Sequence, residues 1–92
     1  MIKDKIIELI EKNIKVEHIS IRDRSAGHKH HKHSDGGGHY KLHVVSDDFN
    51  NMSLLQRHQT IYKLVNHMIQ KEIHALSMIT QTISEYKKSI KK

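Results

Sequence analysis

Ten histidines and no cysteine stand among the 92 residues, and four of the ten crowd into one hexapeptide, His28-Lys29-His30-His31-Lys32-His33. Imidazole is the side chain here that both ligates borderline metals and titrates near neutrality. A metal held by this chain is therefore held through nitrogen, and any thiolate ligand has to come from another molecule. The lack of cysteine excludes a disulfide, a self-contained cysteine zinc site and a thiol nucleophile. It is compatible with a reducing compartment, and a cytoplasmic location is expected.

Two or three of His28, His30, His31 and His33 can meet one metal ion, at about 2.0 to 2.1 Å for zinc, because they are close in sequence on a segment rich in glycine. Ordering that segment opposes the ligand energy, so zinc or nickel binding there is expected to be modest. The bland alternative is a soluble spacer. An expression tag is a poor explanation, because the tract is internal, mixed with lysine and followed by a strand pattern. His74 differs: it stands between Ile73 and Ala75-Leu76, where a helix gives way to a strand, and structure on both sides can preorient its ring. His43, His58 and His67 fall in regular elements and read as structural or solvated. Asp47 and Asp48 read as turn formers. No H-E-x-x-H, G-x-x-x-x-G-K or G-x-S-x-G occurs, so a non-enzymatic protein is expected.

The elements that must hold these residues follow from periodicity. Ile2, Ile6, Ile10 and Ile14, with Ile7 and Leu9, make the apolar stripe of an amphipathic helix, and Asn13 is a stop signal. Residues 16–22 alternate and are β-branched, which predicts a strand. Residues 24–38 hold no apolar residue beyond Ala26 and predict a flexible His/Gly-rich loop. A second strand is expected over residues 39–46, antiparallel to the first. Leu54, Leu55, His58, Ile61, Tyr62, Val65, Met68 and Ile69 recur at spacings of three and four. They predict a long helix with a break near its first turn. Leu76, Met78, Thr80 and Thr82 share one side of a third strand over residues 73–82. A right-handed crossover through the long helix would lay this strand parallel to the second. Ser84 is placed as the cap of a short C-terminal helix containing Tyr86 and Ile90. The sum is one α+β domain over residues 1–92, a three-stranded mixed sheet with helices on one face.

The chain is 36% hydrophobic with a formal charge of +6, which fits a single thin core. Much of the excess charge falls in a basic tail, residues 87–92, and reads as a solvated end rather than a nucleic-acid groove reader. The first six residues intersperse charges among isoleucines, so no signal peptide is expected. No window reaches the roughly 18 to 20 apolar residues of a membrane span.

Asp23-Arg24-Ser25, His28, Gly38-His39-Tyr40, Val45-Ser46, Phe49, Arg57-His58, Tyr62 and His74-Ala75-Leu76-Ser77 together resemble the BolA family, over nearly the whole chain. The resemblance implies a KH-like (class II) αββαβα fold. It also implies a partnership with a monothiol glutaredoxin, the two proteins forming a heterodimer around a shared [2Fe-2S] cluster, with thiolates from the glutaredoxin and glutathione and histidines from this chain. His74 matches the family's C-terminal ligand and His28 its loop ligand, with His30, His31 and His33 as substitutes. Imidazole in place of thiolate removes negative charge from one iron and raises the cluster potential, and it makes the site protonatable. The alternative that the resemblance carries is a DNA-binding transcriptional regulator, with Arg57, His58 and Lys63 on the nucleic-acid surface. Gln59, where the family has a second arginine, disfavours it. Asn51 replaces a family glycine in the turn after Phe49, and Arg24 replaces an acidic residue.

Overall fold

A computed structural model describes residues 2–24, 38–69 and 71–90. The expected loop, apart from its two end residues, lies outside the described residues. So do His28, His30, His31 and His33, and the last two lysines of the basic tail. The order is α1 (Ile2–Asn13), β1 (His18–Asp23), β2 (Gly38–Val45), α2 (Leu54–Val65), β3 (Ile73–Gln81) and α3 (Ile83–Ile90). The strands lie in the order β1-β2-β3, antiparallel for the first pair and parallel for the second, as the alternation and crossover arguments require.

Alternation decides which face of the sheet is covered. Tyr40, Leu42 and Val44 of β2 are buried with Ile6 and Ile10 of α1, Ile61 and Val65 of α2, and Phe49, Met68 and Ile73 from the connections and the start of β3. Ile19, Ile21, Leu76 and Met78 pack partly buried against this core. His39, Lys41 and His43, one step out of phase, leave the core side. α1 stops where the Asn13 side-chain amide donates to the Leu9 carbonyl at 2.7 Å, satisfying a last-turn acceptor. Lys87 and Lys88, read as part of a tail, lie in the last turn of α3.

The turn after β2 ties three parts of the chain together. Ser46 is fully buried. Its hydroxyl donates to the Lys15 carbonyl at 2.6 Å and accepts from the Asp48 amide at 3.0 Å. Asp48 Oδ2 accepts from the Lys15 amide at 2.9 Å, and Asp47 Oδ1 from the Ile83 amide at 3.1 Å. Asp47 and Asp48 are therefore turn formers, as read. Two residues after Phe49, Asn51 sits at φ 68°. This left-handed backbone explains why glycine belongs there and why asparagine is a tolerable stand-in.

α2 opens on a reciprocal cap: Ser53 Oγ accepts from the Gln56 amide at 3.1 Å, and Gln56 Oε1 from the Ser53 amide at 2.8 Å. The interruption expected near its first turn falls instead at its end, where residues Asn66–Met68 tighten into a 3-10 turn. α3 differs from expectation as well. Its cap is Thr82, not Ser84: Thr82 Oγ1 accepts from the Glu85 amide at 3.2 Å and Glu85 Oε1 from the Thr82 amide at 2.9 Å. The reciprocal arrangement needs a glutamate three residues on. Thr82 has one in Glu85, whereas Ser84 has Lys87.

Because β3 is an edge strand, its outward carbonyls need partners. Two side chains of α2 supply them: Tyr62 Oη donates to Leu76 O at 2.9 Å and Arg57 Nη1 to Thr80 O at 3.2 Å.

Candidate functional site

The candidate site lies at the end of the sheet where β1 finishes and both β2 and β3 begin. Antiparallel pairing of β1 with β2 and parallel pairing of β2 with β3 bring Asp23, Gly38 and Ile73 to this one end. The 25–37 segment therefore leaves the described fold at Arg24 and rejoins it at Gly38, beside the start of β3. The Arg24 amide donates to the His39 carbonyl at 2.6 Å, closing that end of the ladder.

His74 occupies a β-bulge. Gly38 pairs with Ile73, but the next residue, His39, pairs with Ala75, so His74 is the extra residue on β3. Two residues then oppose one, and such an irregularity re-aims side chains. Ile73 is buried, His74 and Ala75 are both exposed, and alternation resumes at half-buried Leu76. The bulge thus turns His74 outward on the same side as His39. Their ring centres are 5.1 Å apart and their planes 21° from parallel.

Gly38 makes this start of β2 possible. It is buried, and a Cβ there would overlap the ring of Tyr40, which folds back over it. Burial, reinforced by the carboxylate of Asp23, pushes the Tyr40 phenol above its usual value of 10.0. Arg24, His39, Tyr40, Ala75, Leu76 and Ser77 line a shallow hollow at this end.

The remaining described histidines lie elsewhere. His18 and His43 gather around Tyr86 of α3, with ring centres 5.3 to 5.6 Å apart. His43 Nε2 pairs with Gln81 Oε1 at 2.8 Å. His58 is half-buried on α2, and His67 is exposed in the 3-10 turn. Among the described residues no group of three or more His, Cys, Asp or Glu side chains is disposed to hold a metal. The alternation of Tyr40, Leu42 and Val44, carried one step back, already places His39 off the core side.

The residues considered for nucleic acid are dispersed in role. Arg57 is buried and its guanidinium is committed inward. Nε donates to Met52 O at 3.2 Å, Nη1 to Thr80 O, and the two terminal nitrogens grip Glu85 at 2.7 and 3.1 Å. Its Cζ lies 5.9 Å over the Phe49 ring. The Arg57 hydrogen bonds, followed by the Thr82 amide, hold the Glu85 carboxyl down to about 2 from its ordinary value of 4.5. Lys63 is exposed on α2.

A family model described as BolA-like protein matches residues 10–85. The chain belongs to the BolA family. Among BolA relatives, a DNA-binding transcriptional regulator BolA from Haemophilus influenzae is 37% identical over 82 residues, covering 89% of this chain and 78% of that one. SufE-like protein 1, chloroplastic/mitochondrial, of Arabidopsis thaliana is 33% identical over 87 residues, covering 88% of this chain and 24% of that longer protein. The solved BolA domain of SufE1 from Arabidopsis thaliana superposes with a TM-score of 0.76 at 30% identity, covering 90% of this chain and 93% of that one. The BolA fold and the αββαβα order therefore agree with the resemblance read from the motifs. No helix among the described residues is long and apolar enough to cross a membrane.

Proposed function

We propose that this BolA-family chain is a non-enzymatic partner of a monothiol glutaredoxin, donating imidazole nitrogen to a [2Fe-2S] cluster whose sulfur ligands come from the glutaredoxin and glutathione. The observation that carries the reading is His74. A bulge holds it outward at the sheet end from which the 25–37 segment departs. His28, the other ligand expected from the family, is four residues beyond Arg24 and so tethered to that same end. A fully extended chain allows at most about 14 Å over that stretch. Imidazole suits iron as a borderline donor and leaves the cluster at a higher potential than four thiolates would. That a BolA domain forms part of a longer Arabidopsis protein supports work in company with other protein units.

The test is to mix the chain with cluster-loaded glutaredoxin and record visible circular dichroism for wild type and His74→Ala. A new spectrum on mixing, lost in the variant, is the expected result. An unchanged spectrum on mixing wild type refutes the proposal.

The second reading, a DNA-binding regulator, is favoured by the name of the Haemophilus relative. The inward commitment of Arg57 counts against it, since a guanidinium held by Glu85 offers no charge to a phosphate. Affinity for duplex DNA that falls steeply with salt would support this reading. A third, zinc or nickel buffering by the histidine-rich segment, requires that deletion of residues 28–33 abolish metal uptake by the isolated chain.

A further inference from the structure

We infer that the open face of the sheet is a docking surface for single-stranded nucleic acid, with Arg22 and Lys41 holding phosphates and His43, Ile79 and Tyr86 presenting ring and apolar surface to bases. This surface is separate from the sheet end proposed for the glutaredoxin, and its occupant is a different class of molecule.

The strand register fixes what this face carries. α1 and α2 pack on the side of Tyr40, Leu42 and Val44, so the residues one step out of phase form the other side. Across it Arg22 stands directly opposite Lys41, which stands opposite Ser77, and the next row is Ser20, His43 and Ile79. α3 reaches only one end, where the Tyr86 ring centre lies 5.4 Å from that of His18 and 5.6 Å from that of His43. Away from that end Ser20, Arg22, Lys41, Ser77 and Ile79 are exposed, Ile79 by 41%.

Charge selects a polyanion for this face. Like charges directly opposite each other on a ladder weaken it, and neither Arg22 nor Lys41 makes an ion pair among the described residues. The strand positions on this face hold no acidic residue, since Asp23 is one step out of phase with Arg22. A local rule broken without return inside the fold marks a site for something outside it. The rings then choose among polyanions. Neighbouring rows lie two residues apart along a strand, about 6 to 7 Å, so a backbone held on the Arg22–Lys41 row sets its bases over the row of His43 and Ile79, beside Tyr86. Histidine and tyrosine rings are stacking partners for unpaired bases, and an acidic polypeptide has no bases to stack. A duplex is read by an element that enters a groove, whereas these rows are side chains on a pleated surface. A single strand can lie flat along it.

The experiment follows the fluorescence anisotropy of a labelled oligothymidylate titrated with the full chain between about 50 and 200 mM salt. Each phosphate held on a single strand contributes about −0.7 to the slope of log affinity against log salt, so Arg22→Gln combined with Lys41→Gln is expected to flatten the slope by about 1.4 and to weaken binding about tenfold at the lower salt. An abasic oligomer with the same number of phosphates should bind about fivefold more weakly than oligothymidylate. Amide NMR shifts on adding oligothymidylate should cluster at residues 20–22, 41–43 and 77–79. Absence of binding at the lower salt, a slope that the double substitution leaves unchanged, or shifts confined to α2 overturns the inference. So does a duplex or a polyglutamate that binds as tightly as the single strand, the first pointing to a groove-reading surface and the second to an acidic protein partner. Binding of oligothymidylate is measured without glutaredoxin, so either result leaves the partnership to its own test.

Discussion

The Arg57–Glu85 pair is where the cost of a single substitution can be worked out most directly. The guanidinium side chain is only 8% exposed and the carboxylate 48%, so removing the carboxylate strands a charge that water reaches poorly. Lowering the Glu85 carboxyl from 4.5 to about 2 corresponds to roughly 3 kcal/mol at 1.36 kcal/mol per unit. Half-exposure of the carboxylate allows water to screen the interaction, which reduces that figure to about 1 to 2 kcal/mol. Glu85→Gln is the informative change, since its Oε1 can still accept from the Thr82 amide and so preserve the cap while the ion pair is lost. At pH 7 the variant is expected to be about 2 kcal/mol less stable, the extra coming from the partly uncompensated guanidinium. With a urea slope of about 1 to 1.5 kcal/mol per molar for a domain of this size, the midpoint falls by about 1.5 M. The pH dependence has a definite sign. A depressed carboxyl contributes stability that is present above its unfolded value, near 4.5, and is lost as pH falls through about 2. The difference between wild type and variant should be full at pH 6 to 7, shrink below pH 4.5 and approach zero near pH 2. Urea unfolding followed by far-ultraviolet circular dichroism across this range measures it. A difference below 0.5 kcal/mol at pH 7, or one that persists unchanged down to pH 2.5, would refute the reasoning (on the order of the screened-pair limit).

Three further outcomes follow from single positions. Asn51→Gly should raise stability by about 0.5 to 1 kcal/mol, because the residue sits at φ 68° and glycine enters that region without a Cβ penalty, whereas Asn51→Val should lower it by about 1 to 2 kcal/mol; thermal midpoints decide this. Thr80→Val should be stabilising by about 1 kcal/mol in the same assay, since the Thr80 hydroxyl is buried without a hydrogen-bond partner among the described residues and a methyl of similar size removes the unmet demand. Gly38→Ala should cost about 1 to 3 kcal/mol by forcing the Tyr40 ring aside. It should also widen the His39–His74 separation, which nuclear Overhauser contacts between the two rings would reveal.

Most of the fold could be read from spacing alone because its elements bury one face each. The isoleucine ladder of α1, the alternation of Tyr40, Leu42 and Val44, and the three-and-four recurrence through Ile61 and Val65 are direct imprints of a single apolar core. The parallel pairing of β2 with β3 followed from the length of the helix between them. What could not be read depends on contacts between residues distant in sequence. The bulge at His74 exists only relative to Gly38 and His39 on another strand, and nothing in Ile73-His74-Ala75 by itself announces it. Arg57 sits at the start of an amphipathic helix and looks like any solvated cation there. Its inward turn is set by Glu85 and the Thr80 carbonyl, which arrive much later in the chain. The cap of α3 is open to local reading, since Thr82 and Glu85 carry the three-residue spacing of a reciprocal cap that Ser84 lacks. The motif residues Ser46 and Phe49 belong to packing, the serine through its two hydrogen bonds and the phenylalanine through its burial.

The parallel ladder between β2 and β3 has a bearing on when ligand capture can occur. His39 and His74 become neighbours only after α2 has carried the chain back across the sheet, a non-local closure of the sort that tends to come late in folding. A nascent or partly unfolded molecule therefore lacks this sheet end even though it carries every histidine. A partner that engages this end would in turn stabilise the finished topology by mass action. Binding at that end would then be confined to molecules that have completed their last strand, making recognition a readout of folding itself.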